Sequence, residues 1–161
     1  MDPFTIEHKD TFRFIGFGTK LEGASSIHAE PFSAQKTEFF KSVIQQGKLA
    51  LLKPVSESEF GYGALTMGES GTFYYAGVKS SQPAIDGVEE VIFPEGAYLV
   101  LSGKGGLSRL AFDKLEDRAF REILTETSEY SYGGGPVAEI LLNGNPADAE
   151  VEVWVPVIPN R

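Results

Sequence analysis

Gly61-Tyr62-Gly63-Ala64-Leu65-Thr66-Met67 and Thr72-Phe73-Tyr74-Tyr75-Ala76-Gly77-Val78-Lys79, joined by Gly68-Glu69-Ser70-Gly71, decide the fold class. Each run is rich in β-formers, and the glycine-bounded link supplies a tight turn, so the stretch predicts a β-hairpin. Upstream, Ser33 is placed to cap a helix running to about Gln46, with Phe39, Phe40, Val43 and Ile44 on one face and Gly47 as its stop. Before that helix, Phe4 to Lys20 reads as strand, and the polar, proline-ended Leu21–Pro31 reads as a loop.

The same order recurs downstream. Val88–Phe93 and Ala97–Ser102 read as strands broken at Pro94-Glu95-Gly96. Ser108 is the expected cap of a second helix reaching Thr125, with Leu110, Ala111, Leu115, Ala119, Phe120 and Ile123 facing the core. Val137–Leu142 and Val151–Val157 form a second hairpin around Asn143-Gly144-Asn145-Pro146. Ser33 and Ser108 lie 75 residues apart and Tyr75 and Trp154 lie 79 apart, so Phe73–Val78 falls over Glu152–Val157. The expectation is an α+β fold made of a duplicated βαββ unit. A mostly antiparallel sheet would carry two main helices, with a ligand groove between the halves. The whole chain, 1–161, is expected to form one domain, with pseudo-repeats of about 1–82 and 83–161.

Composition narrows the chemistry. The 161 residues are 42% apolar and 23% charged, as in a globular chain able to bury its own core. There is no cysteine, which removes thiolate metal sites, iron–sulfur clusters, disulfides and cysteine nucleophiles. The only histidines, His8 and His28, lack ligand spacing and read as surface residues, so neither a metal nor a cofactor is expected. A formal charge of −9 without a basic cluster argues against direct nucleic-acid binding. No apolar run approaches a membrane span and the first residues carry charges rather than a signal core, so a cytoplasmic location is expected. Gly103-Lys104-Gly105-Gly106 lacks the spacing of a phosphate-binding loop, and Gly68-Glu69-Ser70-Gly71-Thr72 misses the nucleophile elbow. Tyr130–Pro136 reads as a connector or a flap over the groove.

Two features remain as candidate chemistry. Strand alternation puts Tyr75 on one face of its strand and Tyr74 on the other, with Trp154 on the face equivalent to Tyr75. Tyr75 and Trp154, joined by Phe40, Tyr98 and Phe120, are candidate pocket walls, because tyrosine and tryptophan pair an apolar body with a polar atom. Glu139 is the anomaly, a carboxylate inside the apolar run Val137–Leu142. On a solvated face it would be an ordinary surface charge. Facing inward without a cationic neighbour in sequence, it would attract a lipophilic cation or act as a general base on water.

Phe4-Thr5-Ile6-Glu7-His8-Lys9-Asp10, Phe39-Phe40, Tyr74-Tyr75-Ala76-Gly77-Val78 and Val91-Ile92-Phe93-Pro94-Glu95-Gly96-Ala97-Tyr98 occur in this order. Gly135-Pro136-Val137-Ala138-Glu139-Ile140 and Val153-Trp154-Val155-Pro156-Val157 complete the series. Together they resemble the gyrase-inhibitor-like (GyrI-like) effector-binding domains, also called the AraC-type or integron-associated effector-binding family, in a stand-alone form. The resemblance implies a multidrug-type pocket between two βαββ (SHS2-type) halves, with Glu139 at its base and Trp154 and Tyr75 in its aromatic wall. Phe39-Phe40 stands where many relatives carry a tryptophan. The implied function is binding of amphipathic or cationic small molecules. The alternative is a hydrolase that opens strained cyclopropane rings of genotoxic compounds, with Glu139 and an aromatic residue such as Tyr75 activating water.

Overall fold

The computed structural model describes residues 4–24, 26–57, 61–82, 87–125, 129–143, 145 and 147–159. Gly144 and Pro146, in the turn expected for the second hairpin, lie outside the described residues. The strands are β1 (Phe4–Lys9), β2 (Phe12–Leu21), β3 (Gly61–Gly68), β4 (Gly71–Lys79), β5 (Glu89–Phe93), β6 (Gly96–Lys104), β7 (Tyr130–Tyr132), β8 (Val137–Leu141) and β9 (Glu150–Pro159). The helices are α1 (Phe32–Gln45), a short α2 (Lys48–Leu52) followed by a 3-10 turn, and α3 (Ser108–Arg118), which runs into a π turn at Ala119–Ile123.

One antiparallel sheet runs in the order β1-β6-β9-β8-β3-β4-β2-β5, with β7 paired to β9. The expected opening strand is two strands, because Asp10-Thr11 breaks it. β1 pairs with β6 at one end of the sheet, whereas β2 pairs with β4 and β5 at the other. Links of only Asp10-Thr11 and Pro94-Glu95 therefore tie the two ends of the sheet together. The sheet must curl to allow this. Phe12 on β2 and Trp154 on β9 are four inter-strand spacings of ~4.8 Å apart along the sheet, yet their ring centroids are 5.5 Å apart.

Curling divides the interior in two. The helix-facing side buries Leu65, Tyr74, Leu99, Val137, Val151 and Val153 beneath α1 and α3. The opposite, concave side closes on itself around Phe14, Tyr62, Phe93, Tyr98, Val100 and Ile140. Both faces of the central strands are thus covered, which is why Val137–Leu141 shows no apolar–polar alternation.

The helices depart from expectation at their starts and on their faces. Pro31 precedes α1, and Ser33, within the first turn, donates its hydroxyl to Asp113 of α3 at 2.6 Å rather than capping. Leu107 occupies the cap position of α3, so Ser108 is the first helical residue. Leu110 is 64% exposed and Ile44 56%, while Lys36, Phe112 and Glu116 face inward. Gly47 ends α1 in the left-handed region, φ 72°, as its expected role requires. The Tyr130–Pro136 segment is tied to the sheet by the pairing of β7 with β9. No described helix is long and apolar enough to cross a membrane.

Candidate functional site

A cavity of about 340 Å³ opens between α1, α3 and the central strands β3 and β8. Its walls are Phe40 and Ile44 from α1, Phe112 from α3 and Leu141 from β8. Its depth is set by β3. Alternation turns Tyr62 and Ala64 to the concave side and Gly61 and Gly63 to the helices. A Cβ at Gly63 would stand 2.5 Å from the Tyr74 hydroxyl. Glycine there lets the Tyr74 side chain cross β3 and reach the neighbouring strand.

What it reaches is Glu139. Alternation in β8 sends Ala138 and Ile140 to the concave core and Glu139 to the helix side, where it is 1% exposed. Each carboxylate oxygen accepts two hydrogen bonds. Oε1 receives Arg109 Nη1 at 3.0 Å and the Tyr74 hydroxyl at 3.1 Å. Oε2 receives Arg109 Nη2 at 2.7 Å and Lys36 Nζ at 3.2 Å. The bidentate Arg109 contact is the strong form of a carboxylate pair. Burial pushes the Glu139 pKa up, but the charges of Arg109 and Lys36 outweigh it and hold the carboxyl well below its usual range. Glu139 is an ionised, fully satisfied anion.

A second buried carboxylate lies behind it. Glu116 of α3 accepts from Lys36 Nζ at 3.1 Å, while its Oε2 has no hydrogen-bond partner among the described residues. Desolvation, reinforced by the negative charge of Glu139, pushes its pKa up to about 7. His28 Nδ1 stands 3.2 Å from Glu116, and His28 Nε2 stands 2.7 Å from Asp117. Burial alone would lower the His28 pKa, but Glu116 and Asp117 raise it overall. His28, expected on the surface, keeps only 9% of its side chain exposed. Arg109 is further held by Asp113, one helical turn on, at 2.9 Å. A chain of alternating charge thus runs from the cavity floor to the protein surface.

Of the residues anticipated as a pocket, the structure brings Glu139 and Phe40 to the cavity. Tyr75, Trp154 and Tyr98 belong to the opposite side of the sheet. Tyr75 and Trp154 do share a face, as alternation requires, but it is the concave one. Trp154 lies edge-on to Phe12, donates Nε1 to Glu152 at 2.9 Å and carries the Lys9 ammonium 3.9 Å from its ring centroid. Tyr98 is 1% exposed, donates its hydroxyl to the Pro94 carbonyl at 2.7 Å, and is pushed up to about 12 by burial. Phe120, on the π turn, packs between His28 and Tyr132 instead of lining the cavity.

Lys36, Tyr74, Arg109 and Glu116 are the residues that sequence reasoning passed over. Their signal was available in the helical period. Lys36 falls one turn from Phe32 and one from Phe40, and Arg109, Phe112 and Glu116 form one stripe of α3. Charges on a stripe otherwise apolar mark a buried ionic network.

Among the described residues, His8, Asp10 and Glu95 cluster closely enough to hold a metal ion, but all three are exposed. No group of metal-ligating side chains of that kind adjoins the cavity among the described residues.

The arrangement matches known folds over nearly its whole length. SAV2435 bound to tetraphenylphosphonium superposes with a TM-score of 0.75 at 14% identity, covering 97% of this chain and 94% of that one. A bacterial protein from Staphylococcus aureus MU50 gives 0.72 at 13% identity, over 98% and 99% of the two chains. The Vibrio cholerae integron cassette protein VCH_CASS2 gives 0.64 at 13% identity, over 96% and 95%. A comparison with curated protein sequences finds no match. The family described as integron-associated effector binding protein matches residues 5–157, and the chain belongs to that family.

Proposed function

We propose that this protein binds amphipathic small molecules in the cavity between α1 and α3, without chemical change. The observation that carries the reading is the cavity itself. About 340 Å³ of space lies between Phe40, Ile44, Phe112 and Leu141, above a rigid polar floor. That volume suits a small organic ligand, and membership of an effector-binding family supports the same reading. Ligand-bound SAV2435, a protein of the same fold, is consistent with it.

The hydrolytic alternative loses its base. All four contacts to the Glu139 carboxylate are donors, and its pKa is depressed, so it has neither a free lone pair nor the basicity to take a proton from water. Tyr75, the other candidate, faces away from the cavity. Arg109 and Lys36 pair with Glu139, so a lipophilic cation, the other ligand class expected, would be held by the ring faces of Phe40 and Phe112 rather than by a vacant carboxylate; tetraphenylphosphonium, bound by SAV2435, is a cation of this kind. With a formal charge of −9, the chain is not suited to nucleic acid as a direct partner.

Calorimetric titration with 6-phenylhexan-1-ol tests the reading. Saturable binding that Phe40→Ala weakens is expected. Absence of saturation up to the solubility of the alcohol, or binding indifferent to Phe40, overturns it.

A further inference from the structure

We propose that this cavity takes up cations in exchange for a proton: the buried pair His28–Glu116, behind the cavity floor, releases a hydrogen ion as a cationic ligand enters, so that affinity for cations rises with pH. The inference rests on the binding reading above and adds a regulation of that same site.

Hydrogen-bond geometry at His28 calls for the proton. Nε2 lies 2.7 Å from an Asp117 carboxylate oxygen, an acceptor, so Nε2 is assigned the ring hydrogen. In the neutral ring Nδ1 is then a bare lone pair, and it faces Glu116 Oε1 at 3.2 Å. Two buried lone pairs at that distance repel, so one of the two atoms carries a hydrogen. A charged His28 beside the carboxylate and a neutral His28 beside the carboxylic acid are two forms of one singly protonated pair. The Glu116 side chain is fully buried, whereas His28 keeps 9% of its side chain exposed, so the ring is the route by which this proton reaches water. Neither residue is part of the cavity lining.

Charges of both signs surround the pair. From α1 comes Lys36, whose Nζ is 3.1 Å from Glu116 Oε1 and 3.2 Å from Glu139 Oε2 on β8. On α3 itself Arg109 Nη2 stands 3.8 Å from Glu116 Oε2 and pairs with Asp113, and Asp117 lies 3.9 Å from Arg121. From β4, the Tyr74 hydroxyl donates to Glu139 and burial holds its pKa well above the usual value, so it stays neutral. Lys36 and Arg109 balance Glu139 and Asp113, so the charge behind the floor is set by the proton of the His28–Glu116 pair. Burial and the charge of Glu139 push Glu116 up to about 7, and against its own burial His28 is raised by Glu116 and Asp117, so the proton is lost near neutrality. Lys36 lines the cavity and touches both carboxylates, which puts a charge gained at Glu116 one residue behind the surface a ligand meets. In a buried setting such a charge acts on a cation with little screening. By linkage, a cation that favours the deprotonated pair lowers its proton affinity, and binds more tightly once the proton has left. A neutral ligand lacks this coupling.

Two probes with one body test this: (6-phenylhexyl)trimethylammonium, whose charge does not titrate, and 6-phenylhexan-1-ol, each titrated calorimetrically into the full chain between pH 5 and pH 8. Affinity for the cation should rise about ten-fold across that range, and affinity for the alcohol should stay within about two-fold. Near pH 7, titrations in two buffers of different ionisation enthalpy should show release of about half a proton per cation bound and none per alcohol, a readout that needs no variant. Glu116→Gln, which keeps the shape of the acid and cannot ionise, should hold cation affinity near its pH 5 value throughout and abolish the release. His28→Gln removes the charge that favours the Glu116 carboxylate and should move the rise to higher pH. Cation affinity independent of pH, with no proton released, overturns the inference while leaving the cavity a binding site. A rise that Glu116→Gln leaves intact places the proton on another group and also overturns it. Failure of both probes to saturate overturns the binding reading and the inference with it.

Discussion

The two sides of the curled sheet solve the problem of burial by opposite means. The concave side is dry: Phe12 and Phe93 stack with centroids 4.5 Å apart and planes 5° off parallel, and Trp154 meets Phe12 edge-on. Its stabilisation comes from area removed from water and from ring contacts. The helix side holds a network in which Lys36, Glu116 and Glu139 are all at most 1% exposed. Such a network gains little over an apolar core of equal volume, but losing one member leaves a bare charge. The dry side is therefore suited to holding the fold, and the charged side to fixing the floor of a cavity. Of the aromatic residues singled out in the sequence, Tyr75, Tyr98 and Trp154 lie on the concave side and Phe40 lines the cavity.

The comparison is broken most severely at Arg109. Arg109→Met removes both strong donors to Glu139 and the cationic partner of Asp113, and should lower the free energy of unfolding by about 3–5 kcal/mol. Urea denaturation at pH 7 measures this. Adding Glu139→Gln to the same chain should recover more than about 1 kcal/mol of the loss, because the charge left bare is then gone. A loss below about 1 kcal/mol in the single variant would mean that solvent reaches Glu139 and that the helix side is not a buried network.

Acidity separates the two sides next. Glu116 keeps its proton up to about 7 in the folded protein, whereas its ordinary value is 4.5. Between those values the folded state binds more protons than the unfolded chain, so stability falls as pH rises through that window, by about 3 kcal/mol in all. His28 acts in the same sense. Its raised folded pKa contributes stability that is complete below 6.5 and lost as pH rises through the folded value. Glu139 acts in the opposite sense, its depressed pKa protecting the fold above 4.5 and failing on acidification. Unfolding free energy should therefore peak near pH 5 and decline toward pH 8. Glu116→Gln should flatten the decline. Phe93→Ala, on the dry side, should cost about 3–5 kcal/mol at every pH and keep the slope. A flat wild-type profile between pH 5 and 7 would remove Glu116 from the buried network.

How far the sequence reaches follows from the same division. The β3–β4 hairpin and the end of α1 were legible because turns and helix stops are local, written in Gly68–Gly71 and Gly47. Glu139 was legible as an oddity because its neighbours in β8 are apolar. Its partners were not, since Lys36 and Arg109 lie 103 and 30 residues away and meet it only once α1 and α3 dock on the sheet. The side of the sheet that carries the cavity was not legible either. Tyr74 and Tyr75 are adjacent and chemically alike, and only the docking of the helices decides which one faces the cavity. The start of α1 illustrates tertiary override: Ser33 satisfies Asp113 of α3 instead of its own helix.

The smallest expected effects give the sharpest test of which side binds. Phe40→Ala removes a cavity wall and should weaken 6-phenylhexan-1-ol about ten-fold, as expected for losing most of one aromatic contact surface. Tyr75→Ala, across the sheet, should change that affinity less than about two-fold even though it loosens the concave core. Trp154 is the lone tryptophan, and its indole is held by Glu152, Lys9 and Phe12 on the concave side. Saturating the cavity should therefore leave its emission maximum in place, because no ligand atom replaces its neighbours. A ligand-dependent shift in that maximum, abolished by Tyr75→Ala and indifferent to Phe40→Ala, would move the binding site to the concave side. The charged floor beneath α1 and α3 would then be a structural network, with the aromatic rings as the receptor.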